Sequence, residues 1–257
     1  MKKLFTNQVY IQPNFLPAGL CEKWAAKIFE NLDVFGPDVE PEYGQMAAFY
    51  GMLEAGLNES YFRYARKHNR FLMKEFPELK GLVEKVGEMI LDKSGISRDA
   101  IPIVPRDHQY FLIAGFNIQL YDWLIYNIHT DTEGLILYPS SIFEKKTRAY
   151  SCVISIKRSA QYLNNRGGEL DIWKERYLAN ELETFYRPDR VHAHSLNSRI
   201  KVDYSAGTMV LFDSFMPHVV RPFYVRKKED RRITLVFHFN YRDRTEKNPF
   251  PHLEYWY

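Results

Sequence analysis

Gly207-Thr208-Met209-Val210-Leu211-Phe212-Asp213, running on through Ser214-Phe215-Met216-Pro217 to His218, reads as a turn, a buried strand and a loop that delivers a histidine. A short uninterrupted apolar run bounded by turn residues suits a strand covered on both faces. Similar texture surrounds it. Short runs of β-branched and aromatic residues separated by turn signals occur at 110–121, 149–157, 169–173, 200–204, 208–213, 219–225 and 232–241. The N-terminal hundred residues differ: Leu20, Trp24, Ile28 and Leu32 recur at every fourth position after Pro17, a favourable first-turn residue, and predict an amphipathic helix. A second helix is expected from about Ser60, as N-cap, to Phe76, and a third from Leu79 to Ser94, closing at Gly95.

Many short strands after a helical start predict a mainly β fold, a double-sheet barrel of jelly-roll type with the N-terminal helices packed on one sheet. We expect one domain over 1–257: mainly helical support over 1–105, a jelly-roll core over 106–245 and a C-terminal tail over 246–257. Within the core, about 174–199 is charged and poorly periodic, and reads as an insertion or lid over the barrel mouth or as a plain surface excursion.

The 257 residues are 46% hydrophobic and 26% charged, an ordinary globular balance that excludes disorder as the main state. Aromatic residues make up 16%, which points to broad packed surfaces or an aromatic-lined cavity. A formal net charge of +3 is too small to argue for a phosphate backbone as the principal partner. Cys21 and Cys152 form neither a CxxC pair nor a disulfide framework. Thr6-Asn7-Gln8 interrupts the apolar run a signal peptide needs, and the apolar stretch at 110–116 falls far short of the ~18 residues of a span. These features lead us to expect a cytoplasmic protein with no membrane partner.

The chemistry gathers around His129-Thr130-Asp131. Residues two apart on an extended chain point to the same side, so His129 and Asp131 can grip one ion. A neutral imidazole and a carboxylate are what divalent iron accepts, and a second histidine completes a face with three open positions; His218 is the candidate. The dipeptide spacing alone equally suits a turn histidine with Asp131 as its partner, and His252-Leu253-Glu254 repeats the pattern with no later histidine to complete it. Fourteen positions after His218, Arg232 opens the strand Arg232-Ile233-Thr234-Leu235-Val236-Phe237. Arg232, Thr234 and Val236 share one face. In a barrel interior that guanidinium would bind an acidic cosubstrate bidentately; in the basic run 226–232 it could instead be a surface arginine. His192 and His194 offer half of another metal site, but no third ligand accompanies them and an exposed loop is the better reading. No HExxH, GxSxG or Walker-type glycine loop is present.

Gln119-Leu120-Tyr121, His129-Thr130-Asp131, Gly167-Gly168-Glu169-Leu170, Gly207–Phe212, His218-Val219-Val220-Arg221-Pro222 and Arg232-Ile233-Thr234, in that order, resemble the non-haem Fe(II)/2-oxoglutarate-dependent dioxygenases, in the branch resembling prolyl 4-hydroxylases. The resemblance covers about half of the chain. It implies a double-stranded β-helix, with His129, Asp131 and His218 as catalytic iron ligands. It further implies that Arg232 holds the distal carboxylate of 2-oxoglutarate, with Arg231 as the alternative after one slip in register. Tyr121 and Thr234 are cosubstrate helpers by the same resemblance, and O2 and optionally ascorbate complete the cofactor set. Gly167-Gly168 reads as a tight turn that needs positive φ. Halogenases of the family carry a small residue where this chain has Asp131. Its nucleic-acid demethylases carry a further arginine six positions after the cosubstrate arginine, where this chain has His238. Nucleic acid is thereby disfavoured.

The implied function is a hydroxylase acting on an unactivated C–H bond of a small amino acid, dipeptide or natural-product intermediate, with a protein side chain as the second substrate class. Two readings of other classes stand beside it. A zinc-dependent hydrolase would use the two histidines and the aspartate but would have no use for Arg232. A non-catalytic jelly-roll binding module would not need the ligand set.

Overall fold

The computed structural model describes residues 8–35, 58–95, 101–105, 114–119, 129–131, 148–158, 168–176, 199–203, 205–220, 230–242 and 251–256. In chain order its elements are β1 (Val9–Gln12), α1 (Ala18–Glu30), a 3-10 turn (Leu32–Phe35), α2 (Asn58–Glu75), α3 (Glu78–Lys93), β2 (Ile103–Pro105), β3 (Gly115–Gln119), β4 (Arg148–Lys157), β5 (Leu170–Trp173), β6 (Arg199–Val202), β7 (Met209–Asp213), β8 (His218–Val220), β9 (Arg232–Arg242) and β10 (His252–Trp256).

The three expected helices are present. α1 starts immediately after Pro17 and buries Cys21, Trp24, Ala25 and Ile28, the stripe set by its fourfold spacing. Leu32 falls in the 3-10 turn that follows. α2 starts at Asn58, so Ser60 lies inside the first turn and does not cap it. α3 carries Glu78 in its first turn and Lys93 in its last, both favourable to the helix dipole. Ser94 ends it, its hydroxyl donating to the Ile90 carbonyl at 2.7 Å, and Gly95 takes φ +66° beyond the cap.

Two sheets face each other. The larger runs β1-β7-β4-β9-β10-β2, with β3 also on β9; the smaller runs β6-β5-β8. The eleven-residue β9 organises the larger sheet. One edge pairs along its length with β4, while the other takes β3 opposite 232–236 and then β10 opposite 238–242. Period-two alternation along β9 then separates two cores. Ile233, Leu235, Phe237 and Phe239 join Cys152 and Ile154 of β4 and Met209 and Leu211 of β7 against the helices. On the opposite face Val153, Val210 and Phe212 pack with Leu170, Ile172 and Val202 of the smaller sheet. Arg232, Thr234, His238 and Asn240 share that inner face and are buried.

The 1–105 region, expected as mainly helical support, carries the three helices and also contributes β1 and β2, and the C-terminal tail supplies β10. β1 pairs antiparallel with β7, and β10 pairs parallel with β2. These strands have three to five residues, too few for a hydrophobic period to show. The mainly β architecture with helices packed on one sheet is present, and the described residues form two sheets, neither of them closed. Only 174–176 and 199 of the expected insertion lie among the described residues.

Trp24 anchors the helices to the sheet. Its ring meets Phe76 edge-on at 5.6 Å between centroids and Phe116 at 5.8 Å, and it is 1% exposed. Trp24→Ala is expected to cost about 3–5 kcal/mol, read as a lower urea midpoint with an unchanged slope. Cys21 and Cys152 are both free and buried, and burial raises both thiol pKa values.

Candidate metal centre

The loop delivering His218 is built by its own sequence. Asp213 Oδ1 accepts the Phe215 N–H at 3.0 Å, the turn chemistry for which aspartate is suited, and Met216 N–H donates to the Asp213 carbonyl at 2.9 Å. Arg176 clamps the other Asp213 oxygen at 2.8 Å. The chain then enters β8 at His218, where the Trp173 N–H holds the Pro217 carbonyl at 2.9 Å.

His129 forms an isolated antiparallel bridge with His218. Their backbones exchange both hydrogen bonds, at 3.1 and 2.9 Å, which puts the two side chains on one face. The ring centroids lie 4.3 Å apart. Two residues on, Asp131 returns to the same face, its N–H tied to the Ser214 carbonyl at 3.0 Å. Its Oδ1 lies 3.3 Å from His218 Nε2 and 3.8 Å from His129 Nε2. The three candidate donor atoms fall within 4.8 Å of one another.

The site keeps Asp131 ionised. Burial would push the Asp131 carboxyl up, but the facing histidines, His218 foremost, outweigh it and hold the group well below the usual carboxylate range. His218 Nδ1 lies 3.1 Å from the Met216 carbonyl, which can only accept, so Nδ1 carries a proton and Nε2 is the nitrogen turned toward Asp131 that could ligate a metal. Its ring packs edge-on against Phe212 at 4.9 Å and is 6% exposed, whereas the His129 side chain is 41% exposed. One histidine is thus set in the core and the other opens toward solvent.

Asp131 Oδ2 points the other way, toward His238 Nδ1 at 4.0 Å. That nitrogen also lies 3.1 Å from Ser151 Oγ, itself 2.7 Å from Ser214 Oγ. Burial pushes the His238 imidazole down, and the charge of Asp131 offsets this only in part. In the sequence His238 stands out only as a departure from the demethylase pattern. The available signal was its even spacing from Arg232 and Thr234 on one strand face.

No protein-family model matches the sequence, and no curated protein does. Solved structures do match. The N-substituted L-amino acid dioxygenase of Burkholderia ambifaria AMMD aligns over 96% of this chain and 85% of its own, at 16% identity and a TM-score of 0.52. The likeness is one of fold. HygX from Streptomyces hygroscopicus, solved with nickel and 2-oxoglutarate bound, aligns over 93% and 89% at 13% identity and a TM-score of 0.48. A Pseudomonas putida prolyl-4-hydroxylase aligns over 92% and 88% at 14% identity and a TM-score of 0.46.

Within this fold the other expected site residues separate cleanly. Arg232 is 2% exposed and Thr234 1% exposed, both on the inner face of β9. Arg231 precedes the strand and is only partly buried. Tyr121, Gly167, His192 and His194 lie outside the described residues. Gly168 has φ +74°, the conformation expected of the glycine turn, and Glu169 lies 3.7 Å from Arg158. The competing pair His252 and Glu254 sits on β10, where Glu254 binds His252 Nε2 at 3.1 Å and the Arg242 guanidinium of β9 at 2.9 Å. That arrangement is a cross-strand ion pair, not part of the histidine–aspartate cluster.

Proposed function

We propose that the protein is an Fe(II)- and 2-oxoglutarate-dependent oxygenase that hydroxylates an unactivated C–H bond of a small amino acid, dipeptide or natural-product intermediate. The observation that carries the reading is the convergence of His129, Asp131 and His218 on one point beside the inner face of β9, where Arg232 and Thr234 are buried.

The donor set fits the ion. Ligands bound side by side at about 2.0–2.2 Å sit about 3 Å apart, and the carboxylate-to-imidazole separations of 3.3 and 3.8 Å come close to this. Two imidazoles and one carboxylate hold one face of Fe(II) and leave three positions open. Iron with 2-oxoglutarate and O2 supplies the oxidising power, releasing succinate and CO2 as the substrate is hydroxylated, and ascorbate can keep the metal ferrous. The chain's part is placement. Arg232 would grip the far carboxylate of the cosubstrate through its planar fork, with the Thr234 hydroxyl on the same face, and Tyr121 is a further candidate donor. The two sheets would form the walls of a double-stranded β-helix.

The name of the Burkholderia enzyme, which specifies N-substituted L-amino acids, supports an amino-acid-derived substrate. Adding Fe(II) and then 2-oxoglutarate without oxygen is expected to produce a weak visible charge-transfer band from the metal and keto-acid chelate. A hydrolase using zinc at the same residues would give no band and no dependence on 2-oxoglutarate; either result would overturn the reading.

A further inference from the structure

We infer that Asn240 and Arg242 recognise the substrate, Asn240 its amide and Arg242 its carboxylate, so that the enzyme acts on a small acid carrying an amide bond, as in an N-acylated amino acid or a dipeptide. This inference rests on the oxygenase reading above and deepens it. Both polar atoms of the Asn240 side chain are buried without a hydrogen-bond partner among the described residues, and the residue is 0% exposed. An amide left unpaired in the interior costs stability, so its retention calls for a function. Its cross-strand neighbours do not satisfy it. The register of β9 sets Asn240 between Ala149 of β4 and Glu254 of β10. Ala149 has no polar side-chain atom, and the two Glu254 oxygens are engaged by His252 Nε2 at 3.1 Å and Arg242 Nε at 2.9 Å.

Its place on the strand decides what it would bind. Alternation puts Asn240 on the same face as Arg232, Thr234 and His238. His238 marks the metal centre, its Nδ1 lying 4.0 Å from Asp131, and Asn240 follows about 7 Å further along the strand, away from Arg232. The cosubstrate anchor and Asn240 thus lie on opposite sides of the strand position nearest the metal ligands, as a cosubstrate and a substrate meeting at one metal require. Arg242 comes next on this face. Its described contacts use only Nε, which leaves the two terminal nitrogens of the guanidinium to bind a carboxylate. The Arg242 side chain is 27% exposed, so the face runs from the metal centre through a buried amide to a cation open to solvent. An asparagine offers a donor and an acceptor in one plane, the complement of an amide bond, whereas a free amino acid has no amide to match it.

The test supplies the iron-loaded full-length protein with 2-oxoglutarate, O2 and one of three probe sets: N-acetyl-L-amino acids and glycyl dipeptides, the C-terminal amides of both, which lack the carboxylate, and free L-amino acids. Succinate release and the mass of the oxidised probe are read for the parent, Asn240→Leu and Arg242→Gln. The first set is expected to be used with kcat/KM at least about tenfold above the other two, since one hydrogen-bonded pair is worth about a decade. Asn240→Leu should raise KM for the best probe at least about tenfold, with 2-oxoglutarate affinity and iron content as in the parent. Its melting temperature should not fall, because leucine fills a similar volume without the unpaired amide. Arg242→Gln should raise KM for the same probe but not for its C-terminal amide. Should Asn240→Leu fail to fold, Asn240→Ala takes its place and is expected to show the same rise in KM. A folded Asn240 variant whose KM stays within about twofold of the parent would overturn the inference, since the amide would then only fill the core. So would an Arg242→Gln protein that treats acid and amide alike, free amino acids used as well as the first set, or no probe used by a parent that forms the anaerobic iron and 2-oxoglutarate band. A parent without that band would overturn the oxygenase reading and this inference with it.

Discussion

His218→Ala is expected to remove stable Fe(II) binding and with it 2-oxoglutarate-dependent turnover. Loss of an outer partner of a metal ligand typically costs about 10–100-fold in affinity, so losing a ligand itself should exceed about 100-fold. His218 is the more decisive of the two histidines to change. Its ring is locked between Phe212 and the Met216 carbonyl and leaves only Nε2 for a metal, whereas the more exposed His129 could be replaced in part by water. Iron content after anaerobic loading and succinate release per minute give the two readouts. His129→Ala should lose both as well. An iron-loaded, fully active His218→Ala protein would refute the ligand assignment outright.

Arg232→Ala should separate cosubstrate binding from metal binding. A charge-assisted hydrogen bond is worth roughly 1.5–3 kcal/mol, and 1.4 kcal/mol is one decade of affinity, so 2-oxoglutarate should bind at least about tenfold more weakly. Iron content should hardly change, because the substitution touches none of the three ligands. Arg232→Lys should rescue only in part, keeping the charge but losing the planar fork. Arg231→Ala is the control: Arg231 precedes β9 and is only partly buried, and its affinity for 2-oxoglutarate should match the parent. Titrating 2-oxoglutarate into iron-loaded protein decides the matter. Loss in Arg231→Ala with none in Arg232→Ala would move the cosubstrate anchor by one residue.

The sequence by itself determined the features whose causes are local. α1 follows from Leu20, Trp24 and Ile28 falling on one helical face, and β4, β7 and β9 follow from apolar runs long enough to show their period. Gly95, Gly168 and Gly207 take the positive φ that glycine alone adopts without cost, and the expected turns lie there. His129 and Asp131 share a face because two residues of extended chain return a side chain to the same side. Chain order already favoured the first of two similar patterns, since no histidine follows the second; what it could not show was that His218 folds back onto the first. His129-x-Asp131 and His252-x-Glu254 share only their local spacing. The first meets His218 through a bridge between distant segments, while the second meets Arg242 across a hairpin edge.

The tertiary structure alone also shows that Arg232, and not Arg231, is buried on the inner face of β9, because one residue of register exchanges the two sheet faces and the burial of Ile233, Leu235 and Phe237 against the helices fixes that register. The Ser151–His238 contact joins residues 87 positions apart, and β1, β2 and β10 are too short to carry a pattern of their own. Pairings of this kind depend on what a strand's neighbours bury, and no local preference of the chain encodes that.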